Sequence, residues 1–258
     1  MRTHFGWFDF KPGQRSIIQA VLSNQDSIAV LPTGGGKSLC YQLPALIRNG
    51  LVVVVSPLVS LMEDQVQQLR SRGISSVCLH AGLDIVRKKE VMTFLDETNK
   101  KLRLLYLSPE RIKAQYIRDF LVKKAEEGEI VSIAIDEAHC ISAWGHEFRP
   151  DYRRLGEIRS LCPHVPIVAL SATAPPKVRA DIIRLLRLRN PIVKVCSASR
   201  SNLTYLFKRR EKDPLQDVLS ALKNSRGASL IYVSTRRLVG YWTDLLNRNG
   251  VRAASYHA

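Results

Sequence analysis

No run in these 258 residues approaches the roughly 20 consecutive apolar residues of a membrane span. The most strongly apolar stretch, Gly50-Leu-Val-Val-Val-Val55, is only strand length. Residues 1–10 lack the basic, then apolar, then small pattern of a secretion signal. The expectation is a soluble intracellular chain with no membrane partner. Cysteine is sparse: Cys40, Cys78, Cys140, Cys162 and Cys196 are odd in number, scattered, and without Cys-x-x-Cys or Cys/His ligand spacing. That pattern supports neither a disulfide framework nor zinc, and reduced thiols are expected. Acidic residues are outnumbered, 23 against 39 basic ones, for a formal charge of +16. Such an imbalance points to a polyanionic partner or an acidic surface. Repeats and low-complexity tracts are also missing.

What is present is 45% hydrophobic sequence, enough for a sizeable core. Short β-branched runs occur at Ser27–Leu31, Leu51–Ser56, Ser76–Leu79, Leu102–Ser108, Val131–Ile135, Ile167–Leu170, Ile192–Val195 and Leu230–Val233. Helix-like stretches separate them, at Leu58–Arg72, Asp84–Thr98, Glu110–Glu127 and Pro176–Leu188. Near-continuous apolar strands alternating with helices predict a parallel α/β sheet buried on both faces. Ligands of such sheets bind at the carboxyl ends of the strands. Around Ser197–Leu206 the pattern turns polar and then basic, at Lys208-Arg209-Arg210. A helix (Pro214–Lys223), a strand (Ser229–Val233) and a helix (Arg236–Asn249) then open what reads as a second α/β unit.

The run Leu31-Pro-Thr33-Gly34-Gly35-Gly36-Lys37-Ser38 follows the first strand. Glycines allow backbone N–H groups to curl around phosphates, a lysine reaches the β/γ phosphates, and a hydroxyl can ligate Mg²⁺. About a hundred residues later Val131–Ile135 ends in Asp136-Glu137-Ala-His139. A carboxylate there can hold Mg²⁺ and its neighbour can orient an attacking water. Together, in this order, the two runs predict a nucleoside triphosphatase. Directly after the acids come Trp144, His146, Phe148, Arg149 and Tyr152, in a segment containing Gly and Pro. Such a segment can stack on bases and touch phosphates, or else cap the core. Ser171-Ala-Thr173 follows the next strand. Its small hydroxyl residues can bond to the end of the acid strand. Near the start, Phe5-Gly-Trp7 precedes Phe10-Lys11-Pro-Gly-Gln14. An aromatic ring can stack on adenine, and a glutamine amide can read its N6/N7 edge.

Collinearly along nearly the whole chain these residues resemble the RecQ family of superfamily 2 DNA helicases. Phe5–Gln14 resembles its motif 0, Leu31–Gln42 motif I, Val55–Gln65 motif Ia, Leu105–Arg111 motif Ib, Asp136–His139 motif II, Ser171–Thr173 motif III and Leu230–Arg236 motif IV. The Trp144/Phe148/Arg149 stretch resembles the aromatic-rich loop particular to this family. The resemblance implies a RecA-like P-loop fold and ATP- and Mg²⁺-dependent unwinding of DNA in the 3′→5′ direction, on single strands and duplex junctions. It implies work in repair, recombination or replication, in the nucleus of a eukaryote or the cytoplasm and nucleoid of a bacterium. Protein partners are not indicated.

The same resemblance implies roles for single residues. Trp7, Lys11, Gln14, Thr33, Gly34, Gly35, Gly36, Lys37 and Ser38 bind the nucleotide, Ser38 and Asp136 hold Mg²⁺, and Lys37, Asp136 and Glu137 are catalytic. Trp144, His146, Phe148 and Arg149 contact DNA. Residues 1–198 are expected to form one RecA-like lobe, and 199–258 a linker and part of a second. Segments resembling motifs V and VI are not found, so the expected form is a truncated one with impaired turnover. Leu188–Pro191 and Ser199–Leu203 faintly resemble the Werner-type branch, although the family's Phe-Asp-Arg-Pro-Asn is here Ala-Ser-Arg-Ser-Asn. Alternatives are a non-catalytic module binding ATP and single-stranded DNA, a DEAH-type RNA helicase, which needs only Asp136–His139, and a small-molecule P-loop kinase. Arg179, Arg184, Arg187, Arg189, Lys208, Arg209 and Arg210 are candidates for tracking a phosphate backbone, or ordinary solvated helix faces.

Overall fold

Alternation inside the apolar runs decides the architecture. Val52 and Val54 face a core shared with Ala29, Leu31, Tyr106, Ala134, Val168 and Leu170. Val53 and Val55 face a second core with Ile28, Val30, Leu105, Ile133, Ile135 and Ala169. A strand that buries both faces needs helices on both sides, and each buried valine contributes about 1.5–3 kcal/mol. The computed structural model describes residues 5–6, 8–96, 101–145, 149–197, 202–207, 209, 213–223, 225 and 227–257. Its sheet has seven strands: β1 (Ser27–Val30), β2 (Leu51–Val55), β3 (Ser76–Leu79), β4 (Leu104–Leu107), β5 (Ile130–Ile135), β6 (Ile167–Ser171) and β7 (Ile192–Val195). Their order is β3-β4-β2-β5-β6-β1-β7, and every pairing is parallel.

Helices Gln14–Leu22, Leu39–Ile47 and Val59–Ser71 bury Ile17, Leu39 and Met62 in the first core. Helices Gln115–Glu126 and Pro176–Leu185 bury Ile117 and Ile182 in the second. This three-layer parallel α/β arrangement is the RecA-like fold expected from the sequence. Among the described residues no helix is long and apolar enough to cross a membrane.

The strand ends are aligned by one buried carboxylate. Asp26, 4% exposed, accepts hydrogen bonds from Arg159 Nη2 at 2.6 Å, Ile167 N at 2.8 Å and Arg189 N at 2.7 Å. Arg159 is buried too, and its Nη1 donates to Val165 O at 2.9 Å. The cluster ties the amino end of β1 to the starts of β6 and β7, where Ile192 N also donates to Asp26 O. A buried carboxylate needs such donors, because an unpaired one is prohibitively costly.

Two expectations need amendment, one a helix and one a strand. Glu110–Glu127 is a 3₁₀ turn (Pro109–Lys113) followed by helix Gln115–Glu126, because Ala114 between them is extended at φ −68°, ψ 126°. The chain divides into Met1–Arg200, which holds the sheet, and Ser201–Ala258. The second unit contains helices Pro214–Lys223 and Arg236–Arg248. Thr235 caps the latter by accepting from Leu238 N at 3.2 Å. The strand expected at Leu230–Val233 is not formed; Leu230 and Tyr232 are exposed. A strand exists only through a neighbour's backbone groups, and no strand lies among the described residues of this unit.

Breaking the Asp26 cluster leaves Arg159 as an uncompensated buried charge. Asp26→Ala is expected to lower the unfolding free energy by about 3–5 kcal/mol. Urea denaturation followed by circular dichroism measures it, and a loss below about 1 kcal/mol would contradict the assignment.

Candidate nucleotide and nucleic-acid site

Beyond the carboxyl end of β1 the chain turns through Pro32–Ser38 and enters helix Leu39–Ile47. Leu31 N donates to Ser171 O at 3.0 Å, so the loop leaves the sheet beside the end of β6. Gly34 and Gly36 have φ of +77° and +74°, in the left-handed region that favours glycine. At Gly35 a Cβ would lie 2.8 Å from Pro32 O. Ser38 stands at the helix N-cap without capping it through its side chain. Leu39 N, Cys40 N and Tyr41 N donate back to Gly36 O, Lys37 O and Ser38 O, so it is the glycine-rich turn ahead of the helix, at its positive end, that suits an anion.

The loop is braced from below by the segment before the first helix. Gln14, 1% exposed, donates through Nε2 to Gly36 O at 3.0 Å and Gly35 O at 3.3 Å. Its Oε1 accepts from Lys11 N at 2.8 Å, and Lys11 Nζ donates to Gly34 O at 2.7 Å. Two of the residues expected to meet a nucleotide, Lys11 and Gln14, therefore hold the loop itself. Gln14 would have to exchange these bonds to read a base. Trp7 lies outside the described residues.

The acidic run begins where β5 ends. Asp136 N donates to Val55 O at 2.8 Å, and Tyr152 Oη donates to Asp136 O at 2.8 Å, fixing the backbone from both sides. Burial pushes the Asp136 carboxyl up to about 6, with the Glu137 charge adding to it. A backbone hydrogen bond from Glu137, the Lys37 ammonium and the Ser56 hydroxyl pull the other way. Lys37 and Asp136, ninety-nine positions apart, thus share one electrostatic site. Glu137 takes a left-handed conformation, φ 46° and ψ 44°, that costs a non-glycine residue about 1–3 kcal/mol. Its Oε2 lies 3.2 Å from His139 Nδ1, which is also 3.0 Å from Ser171 Oγ. Ser171 Oγ in turn donates to Thr173 O at 2.7 Å, so Nδ1 carries the shared proton. The Cys140 sulfur and the Glu137 carboxylate hold the imidazole up at about 9, against burial. The expected link between the acid strand and Ser171–Thr173 therefore runs through His139.

The aromatic segment leaves this site immediately. Ser142 Oγ donates to Asp181 Oδ2 at 2.7 Å and accepts from Trp144 N at 3.2 Å. Trp144 is 73% exposed, and Lys177 Nζ sits 5.1 Å from its ring centroid. Gly145 fits because a Cβ there would lie 2.4 Å from His139 O. Arg149 N donates to Cys140 O at 3.0 Å, and its Nη1 reaches Pro57 O, beyond β2, at 3.3 Å. His146 and Phe148 lie outside the described residues. Tyr152, read from the sequence as part of a stacking segment, is instead fully buried against the end of the acid strand, and Lys177 and Asp181 carried no site signal in the sequence. Only the four-residue spacing of Lys177 and Asp181 on one helix hinted at a shared face.

Of the basic candidates, Arg179 donates to Ala174 O, Arg184 to Asp181, Arg187 to Ser160 and Arg189 to Pro163 O. Arg189 also lies beside Asp26, at the sheet edge opposite the phosphate loop. Arg209 falls in the second unit, while Lys208 and Arg210 lie outside the described residues. Among the described residues no group of three or more His, Cys, Asp or Glu could hold a metal ion. A site offering only the two oxygens expected from Ser38 and Asp136 would suit an ion that takes its remaining ligands from phosphates and water, as Mg²⁺ does.

Residues 11–182 match the family model described as DEAD/DEAH box helicase. The chain is 40% identical over 255 residues to the ATP-dependent DNA helicase RecQ of Pasteurella multocida, covering 98% of this chain and 39% of that one. It is 39% identical over 259 residues to the ATP-dependent DNA helicase RecQ of Haemophilus influenzae, covering 100% and 41%. The chain thus spans about two fifths of the length of these relatives. Among solved structures, Mycobacterium smegmatis helicase Lhr bound to ssDNA and AMP-PNP is similar, with a TM-score of 0.66 and 17% identity. That similarity covers 97% of this chain and 36% of the other.

The raised Asp136 carboxyl has a measurable consequence without metal or nucleotide. Its folded value, about 6, exceeds its ordinary 3.8, so the folded state holds the proton more tightly. Stability is therefore lost as pH rises from about 4 to 6. In chelator, Asp136→Asn is expected to match the parent chain near pH 4 and to exceed it by about 3 kcal/mol above pH 7. Denaturant titrations at a series of pH values test this, and a pH-independent difference would refute it.

Proposed function

We propose, from the premise that this chain belongs to the DEAD/DEAH box helicase family and to its RecQ-like branch, that it forms the ATP-binding part of a DNA helicase. The reaction is ATP hydrolysis coupled to 3′→5′ movement on single-stranded DNA and opening of duplex junctions. Residues 1–198 form a first RecA-like lobe, and 199–258 a linker and part of a second. The observation that carries this reading is the convergence of Lys37, Asp136–Glu137, His139–Ser171 and the Trp144 segment at one edge of one sheet.

Lys37 contacts the β/γ phosphates, and the backbone of Gly34–Ser38 cradles them. Ser38 and Asp136 would hold Mg²⁺, which when bound would neutralise charge on the phosphates. That charge also stabilises the Asp136 carboxylate that burial disfavours. Glu137 orients the attacking water, positioned by its bond to His139. Gln14 and Lys11 set the shape of the loop, and a bound adenine would draw Gln14 away from Gly36 O. Trp144 stacks on a DNA base and Arg149 contacts the strand. Base stacking is sequence-tolerant, which suits an enzyme that must move along any strand. DNA is favoured over RNA because the relatives similar over nearly the whole chain are named DNA helicases.

Two measurements on the 258-residue chain test the proposal. Lys37→Ala should weaken binding of a non-hydrolysable ATP analogue with Mg²⁺ by about 10- to 100-fold, the value of a hydrogen bond to a charged group. Trp144→Ala should weaken binding of labelled single-stranded DNA by about 5- to 100-fold and leave analogue binding intact. Unchanged analogue affinity in the first variant would overturn the phosphate assignment. Unchanged DNA affinity in the second would overturn the DNA assignment, and tighter binding of single-stranded RNA than DNA would transfer the partner to RNA.

A further inference from the structure

The exposed tip of the aromatic segment is joined to the sheet by two routes. One is covalent, from His139 through the 3₁₀ turn Ala138–Ile141 to Ser142 and Trp144. The other runs through space. Ser142, fully buried, donates to the Asp181 carboxylate at 2.7 Å, and the same hydroxyl accepts from Trp144 N at 3.2 Å. One hydroxyl thus fixes the backbone at the stacking residue and is itself fixed by a side chain thirty-nine positions away.

Asp181 sits on helix Pro176–Leu185, which starts just beyond Ser171–Thr173. Arg179 Nη1 staples that helix to its own entry by donating to Ala174 O at 2.7 Å. One turn before Asp181, Lys177 reaches the Trp144 ring, so the same helix face meets both the root and the tip of the segment. Arg184 Nη2 holds Asp181 Oδ1 at 2.6 Å, leaving Oδ2 aimed at Ser142. The circuit closes at the other end through His139 Nδ1 and Ser171 Oγ, 3.0 Å apart. A segment held at both ends of such a circuit moves with Ser171–Thr173 as well as with the acids.

We propose that Asp181 is a positioning residue for the single-strand-binding segment, holding Ser142, and through it the Trp144 backbone, in fixed relation to Ser171–Thr173. This rests on the reading of Trp144 as a DNA contact. Asp181 does not touch the nucleotide or the strand. It sets where the stacking ring stands when a base arrives, and the bond it makes is lost or kept as the helix after Ser171–Thr173 shifts.

The test is equilibrium binding of a fluorescein-labelled single-stranded oligonucleotide to the full 258-residue chain, with binding of the ATP analogue measured alongside. Asp181→Ala and Ser142→Ala should each weaken DNA binding about 3- to 10-fold, and the double variant no further, the mark of one shared interaction. Asp181→Asn, which keeps an acceptor for Ser142, should restore affinity to within about 2-fold. Analogue affinity and thermal unfolding should not follow this pattern. Additive losses in the double variant, or parent-like DNA affinity in Asp181→Ala while Trp144→Ala is defective, would overturn the role of Asp181. Parent-like affinity in Trp144→Ala would instead remove the reading beneath it.

Discussion

A sheet of parallel strands covered on both faces leaves only two places for polar chemistry, the rows of strand ends, and everything functional in this chain depends on keeping those rows level. Asp26 does this at the amino row. It collects the Arg159 guanidinium and two backbone N–H groups from the starts of β6 and the β7 approach. With that row fixed, the ladders carry the register across: Val30 pairs with Ser171, and Ile135 with Ala169. The phosphate loop, the acidic pair and Ser171–Thr173 emerge as neighbours because three strands of matched register end together. A slip of one residue would turn each strand's buried set to the other face.

At the carboxyl row the sheet accepts an electrostatic cost. Burial and the neighbouring Glu137 charge raise the Asp136 carboxyl towards neutrality, while Lys37 offsets part of this from across the site. A carboxylate so placed is stabilised by a cation, and the adjacent glycine-rich turn offers the place for the phosphates that would bring one. Glu137 is relieved differently, by a protonated His139 that it shares with Ser171. The two acids therefore have separate partners, which is what the two tasks proposed for them, holding a cation and orienting water, would require.

The strands were legible because β-branched runs admit few other conformations. Leu51–Val55, Ser76–Leu79 and Ile192–Val195 stand where the sequence places them, within a residue at their ends. Leu230–Val233 has the same composition but no neighbouring strand among the described residues of its unit, and composition alone does not make a ladder. The phosphate loop and acidic pair were legible as motifs, and the sheet brings them together. Gln14 was legible as a residue of interest but not in its contacts, since nothing in Phe10–Gln14 announces that its amide clasps Gly35 and Gly36. Asp181 was illegible for a plainer reason. Its partner Ser142 lies thirty-nine positions away, and neither residue type is unusual where it stands.

The Ser142–Asp181 bond bears on how Trp144 is connected to the acids. Along the chain, five peptide links separate Trp144 from His139, and a loop of that length with only its ends fixed transmits little force. The Ser142 hydroxyl changes the situation by dividing the span: beyond it only two links remain before the ring. Because that hydroxyl is bonded to a helix rather than to the acidic run, the backbone at the ring is tied to the element that follows Ser171–Thr173. His139 completes the route back, bonded to Ser171 on one side and Glu137 on the other. Trp144 and the Glu137 carboxylate are thus joined by a second path, through the Ser142–Asp181 bond, one helix and the contacts of His139 with Ser171 and Glu137, that bypasses the loop.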